Sequence, residues 1–197
     1  MKAFGAIGAV TAVLSLSACL GAEPTEGELA ARAFRAAVED NGSFGENGVE
    51  GLRLLNATSG LNTAAPSAVP TTGSAVTFLG QIGIGNVETG LLGDLGMSVD
   101  FEGSEISATA NNFVDADEVA ATGSLAMLPT PFDRNADPEE NWMFNGTLQG
   151  TLTQQGIPRN IFAVMSGEFL GDGSYVSGEI QASPGNEGFF IAERVTP

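Results

Sequence analysis

Reactive side chains are few in kind in this sequence. Its 197 residues include no His and a single Cys, and 7 Lys and Arg stand against 24 Asp and Glu. Without imidazole there is no Ser-His or Cys-His dyad, no base that titrates near neutral pH and none of the common His-bearing zinc sites. One thiol makes neither an internal disulfide nor a thiolate metal cluster. Carboxylate chemistry is what remains. Asp133-Arg134-Asn135-Ala136-Asp137 has the D-x-N-x-D opening of a calcium loop, but the sixth position is Pro138 instead of Gly and the twelfth is Phe144 instead of Glu. Together with Glu139 and Glu140, and with the cluster Asp115, Asp117 and Glu118, it reads as solvated acidic loop. Acid pairs at the ~5–10 Å that glycoside hydrolysis needs arise by chance in so acidic a chain. The run from Gly80 to Gly85 lacks the Lys of a phosphate loop. No catalytic residue, metal or cofactor is assigned, and the chain is read as a non-enzyme.

The lone Cys has a more specific reading. Residues 1–18, MKAFGAIGAVTAVLSLSA, carry one Lys, a short apolar run and then small residues, which is the pattern of a secretory signal. The apolar run falls short of the ~20 residues of a spanning helix. Leu16-Ser17-Ala18-Cys19 resembles a bacterial lipobox. That resemblance implies cleavage before Cys19, diacylglycerol on its thiol and an acylated amino group, so Cys19 is the candidate lipidation site. Acyl chains hold a protein on a membrane at ~0.8 kcal/mol per buried CH₂. Residue +2 is Leu20, not the Asp that retains many lipoproteins at the inner membrane. A lipid-anchored place in the outer membrane of a Gram-negative bacterium is therefore expected, facing either the cell surface or the periplasm.

The formal net charge of −17 argues against nucleic acid, whose binding depends on Lys and Arg neutralising phosphates. Removal of residues 1–18 takes the only Lys, leaving six Arg against 24 acids, a net −18. Such a surface repels anionic lipid heads, so membrane contact is expected through the lipid alone.

Three segments organise the chain: a lipoprotein signal at 1–18, a lipidated tether at 19–72 and a β domain at 73–197. Thr25-Glu26-Gly27-Glu28 has capping-box spacing, and Leu29, Ala33, Ala36 and Ala37 follow at helical intervals, which predicts a short helix over 26–40 ended by Asn41-Gly42 and the run SFGENG. Residues 56–72 are small, polar and Pro-containing, and read as a linker or extended arm. From Gly73 the period changes to two. Val76, Phe78, Ile82 and Ile84 open the series, followed by Leu95–Phe101, Ile106–Ala110, a short strand at Ser124–Leu128, Trp142–Leu152, Ile161–Phe169, Tyr175–Ala182 and Phe189–Val195. In the fifth segment Trp142 and Phe144 begin an inward stripe and read as core.

Eight antiparallel strands with one apolar face close into an up-and-down β-barrel whose interior is filled by side chains or holds one small ligand. The expected fold is all-β: a soluble, lipocalin-like eight-stranded antiparallel barrel preceded by a short N-terminal helix and linker. A membrane-spanning barrel would need an aliphatic outer face and two aromatic girdles. One Trp and one Tyr do not make two girdles, and the alternate face here is Ser, Thr, Asn, Asp and Glu.

Three stretches resemble the barrel domain of transferrin-binding protein B and related surface lipoproteins, including factor H-binding lipoproteins. They are Val69–Ala75, the hairpin Leu95–Asn112, and the closing run of Gly167-Glu168-Phe169-Leu170-Gly171, Val176-Ser177-Gly178 and Gly188-Phe189-Phe190. The resemblance covers about residues 69–195 and implies a non-enzymatic protein with a packed barrel that binds through loops and strand surfaces. It carries no ligand with it: the large transferrin binders have two lobes, and no transferrin-contact motif is present. The expected function is a membrane-anchored, monomeric binding module for a protein or small-solute ligand, in uptake or surface interaction. The alternative is a structural envelope or surface-coat lipoprotein without a specific ligand.

Overall fold

The structure, a computed structural model, describes residues 25–73, 75–86, 88–136, 142–182 and 187–195. The signal segment, Cys19 and residues 137–140 of the acidic loop lie outside the described residues.

Two helices precede the barrel: α1 (Glu26–Asn41) and α2 (Gly45–Ala57). The capping box is present as the spacing predicts. Thr25 Oγ1 accepts from the Glu28 amide at 3.1 Å, and Glu28 Oε2 accepts from the Thr25 amide at 3.0 Å. Gly42 ends α1 with φ 64°, the left-handed conformation that an L side chain resists. The second helix was not expected, because GENGVEG carries the glycines of a turn. Those glycines lie on its inner face instead: Gly48 and Gly51 are buried with Leu54, Gly48 against Val38 and Phe44 and Gly51 facing Gln81 and Leu92 of the barrel wall. The buried stripe of α1 also differs from the expected one. Ala37 is buried as expected, but its buried companions are Gly27 and Phe34, whereas Leu29 is 44% exposed and Ala33 and Ala36 are exposed.

Eight strands follow: β1 (Val76–Ile84), β2 (Leu91–Asp100), β3 (Glu105–Val114), β4 (Ala120–Pro131), β5 (Phe144–Gln154), β6 (Ile157–Leu170), β7 (Tyr175–Gln181) and β8 (Glu187–Arg194). Each pairs antiparallel with the next, and β8 returns to β1, so the sheet is a closed up-and-down barrel. The eight-stranded antiparallel expectation holds. The fourth strand, expected to be short, runs 12 residues. No described helix is long and apolar enough to cross a membrane.

Side chains fill the barrel. Phe169 is fully buried, with ring centroids 5.4 Å from Phe132, 5.6 Å from Phe101 and 6.1 Å from Phe78, while Phe144 and Phe190 meet at 6.0 Å. Small inward residues make room for these rings: a Cβ on Gly167 would lie 2.4 Å from Phe190 Cζ. The two possibilities left open by the pattern thus resolve to a packed interior.

The outer wall is not uniformly polar. Leu92, Phe189 and Ile191, on the outer faces of β2 and β8, are buried in a second apolar cluster with Phe34, Phe44 and Leu54 of the helical segment. Phe34 sits 4.8 Å from Phe44 and 5.3 Å from Phe189. This explains why β8 is apolar on both faces, a pattern that plain alternation does not produce. The arm after α2 covers one end of the barrel. Ala64 and Val69 are buried in the barrel's own cluster, and Arg134 donates to the carbonyls of Pro70 and Phe101 at 2.8 and 2.9 Å.

Candidate functional site

A cleft of about 510 Å³ lies where the helical segment meets the barrel wall. Its floor is the outer face of β6, β7 and β8, with Glu168, Ser177, Phe189 and Ile191. Helix α1 supplies one side. Glu28, Arg32 and Arg35 stand at intervals of four and three residues, so they share one helical stripe beside the buried one. The end of α2 and the arm supply the other side, through Leu55, Leu61 and Thr63. A site of this volume, mostly apolar with a few convergent polar groups, has the dimensions of a small-molecule pocket.

Glu168 is its most distinctive group. Strand alternation turns it outward between inward-facing Gly167 and Phe169, and the arm then covers it. The arm is held there by backbone bonds, Ala64 N–H to Phe169 O at 2.7 Å and Gly171 N–H to Asn62 O at 2.8 Å. Thr63 Oγ1 donates to Glu168 Oε2 at 2.7 Å. Burial pushes the Glu168 carboxyl above the ordinary carboxylate range; the Thr63 bond opposes this, and the nearby Glu28 charge adds to it. The proton stays on the Thr63 alcohol, far the weaker acid, so this pair fixes geometry and does not generate a nucleophile.

Trp142 lines the same cleft. The sequence pattern assigns it to the barrel core with Phe144, but β5 begins at Phe144 and only Phe144 is buried in the core. Trp142 precedes the strand and is half-buried at the cleft. The period-two stripe thus extends one residue pair beyond the sheet that would have given it meaning.

The described residues of the acidic loops gather no cation site. Asp133 Oδ1 accepts from the Asn135 amide at 2.8 Å. Asp115 Oδ1 accepts from the amides of Asp117 and Val119, and its Oδ2 accepts from Gln154 Nε2. These carboxylates are turn caps, and among the described residues no group of three potential ligands could hold a metal ion. Gln81 and Gly83, of the glycine run, lie within β1.

Sequence reading did not single out Glu168, Thr63, Arg32 or Arg35 as site residues. The available signal was the stripe of charges at 28, 32 and 35. The pairing of Thr63 with Glu168 needs the arm to fold back over 105 residues, which no local pattern encodes.

No family model matches the chain, and no curated protein matches it.

Proposed function

We propose that this protein is a lipid-anchored, non-enzymatic binding module of a bacterial envelope, tethered through Cys19, whose binding face is the cleft between the helical segment and the barrel wall. The observation that carries the reading is the contrast between the two sides of the wall. The interior is closed by phenylalanine rings, whereas the outside holds a cleft with a sunken carboxylate and the chain's one Trp. Barrels that bind through their outer surface are also what the transferrin-binding-protein-like resemblance implies. Its three stretches fall in order on the lead-in to β1, on the β2–β3 hairpin and on β6–β8. The lipobox at 16–19 supports the anchor and the outer-membrane location.

Two measurements test the reading. Wild-type protein should sediment with membranes and incorporate labelled palmitate, and Cys19→Ser should do neither. For the cleft, the neutral apolar fluorophore N-phenyl-1-naphthylamine should take energy from Trp142 in a saturable way. Ala31→Phe, which fills the cleft from α1, should abolish that transfer. Membrane-bound protein with no saturable transfer would favour the spacer or surface-coat role.

A further inference from the structure

We infer that the cleft takes a primary organic ammonium on an apolar stem, its head held by Glu168 and Glu28 and its stem lying along Trp142 and the apolar floor. The inference deepens the binding reading above and rests on it.

Four observations converge. First, Glu168 has oxygens to spare. A carboxylate accepts up to about four hydrogen bonds, and among the described residues a single side-chain donor, Thr63, reaches this one. Second, another carboxylate lines the same cleft, and its charge adds to the upward push on the Glu168 carboxyl. Glu28 stands across the cleft on α1, and its own bond to the Thr25 amide fixes its position. A ligand cation placed between two acids of one cleft is attracted by both, and an ammonium brings three donors to them. Third, the arginines do not fill this role. Arg35 donates to Asn56 Oδ1 and lies 3.9 Å from Glu39. Among the described residues no ion pair joins Arg32 or Arg35 to Glu168. Fourth, the remaining lining suits an apolar stem. Phe189 and Ile191 form the floor, with Leu55 and Ala31 beside them, and Trp142 adds its apolar surface to the lining. The guanidinium groups on the α1 side make a second positive charge on the ligand unfavourable, so the geometry selects a monocation.

Trp142 is the only Trp in the chain, so its emission reports on this cleft alone. The full-length mature protein is titrated with n-hexylammonium, hexan-1-ol and hexanoate, following Trp142 emission and heat of binding. Hexylammonium should bind at least tenfold more tightly than the alcohol or the carboxylate. Glu168→Gln keeps an acceptor for Thr63 but removes the charge, and should bring the ammonium down to the affinity of the alcohol. Equal affinities for the three probes, or ammonium binding untouched by Glu168→Gln, would overturn the inference. In that outcome, saturable binding of hexan-1-ol at Trp142 would still uphold the cleft as a binding face. Failure of all three hexyl probes and of N-phenyl-1-naphthylamine would remove both.

Discussion

Thr63 and Glu168 are joined by a 2.7 Å hydrogen bond between an arm that has no regular secondary structure and the outer face of a barrel strand. The bond does two things at once: it holds the arm over β6, and it holds down the pKa of a carboxyl that burial would otherwise raise further. A hydrogen bond to a charged group contributes about 1.5–3 kcal/mol. Thr63→Val should therefore destabilise the protein by about 1.5 kcal/mol in urea unfolding, and Thr63→Ser should restore most of it. In the same Val variant, carboxyl NMR titration should find Glu168 protonated at higher pH than in wild type.

Glu168 also sets a pH dependence whose sign is fixed. Its folded-state pKa lies above the unfolded value, so its favourable contribution is fully present below the ordinary carboxylate range and is lost as pH rises through the folded pKa. Glu168→Gln has no proton to lose. The variant and wild type should unfold at similar temperatures at acid pH, and the variant should become the more stable as pH rises to neutrality. A gap that narrowed with rising pH would show that the charged form of Glu168 is stabilised in the fold.

Two helix glycines should respond to alanine in opposite directions. Alanine is better than glycine in a helix by ~1 kcal/mol, but the two sites differ in room. At Gly51 a Cβ would meet Gln81 Cγ and Leu92 Cδ2 at an ordinary 3.8 Å. At Gly27 it would lie 2.5 Å from Glu179 Cβ and 3.0 Å from Glu179 Cα, where the wall cannot yield cheaply. Gly51→Ala should gain about 0.5–1 kcal/mol. Gly27→Ala should lose about 1–3 kcal/mol through overpacking and should lift the start of α1, weakening ligand binding in the cleft. Thermal melts of the two single variants decide this directly.

The barrel was legible because its information is local. Leu95, Met97, Val99 and Phe101 alternate with polar residues, and one period-two face is enough to put them inside. The helical layer was less legible because it reverses local signals. Phe44 and the glycines after it look like a turn, yet Phe44 caps α2 with φ 67° and is itself fully buried against the wall. Phe189 and Ile191 alternate with buried inward residues, so the strand reads as apolar on both sides without revealing what covers the outer one. The cleft was least legible, since it forms where α1, the arm and β6–β8 meet, and each contributes residues that look unremarkable alone.

Arg53 provides a last test, of how the helical layer is held on the barrel. Its guanidinium donates to Glu50 within α2 and to Glu193 of β8, both at 2.8 Å, and Tyr175 Oη donates to the same Glu193 carboxylate at 3.1 Å. The Arg53 bond holds the Glu193 carboxyl below its usual range. The stabilisation it brings is therefore present above the ordinary carboxylate pKa and is lost as pH falls through the depressed one. The Arg53 and Glu193 side chains are 48% and 38% exposed, so solvent screens the pair and its worth is limited to about 0.5–1 kcal/mol. Arg53→Met, which keeps much of the aliphatic stem, should cost that much at neutral pH and low salt. The cost should shrink in concentrated salt and again in acid. If the loss were unchanged by both salt and pH, packing of the Arg53 stem, and not its charge, would be what fastens α2 to β8.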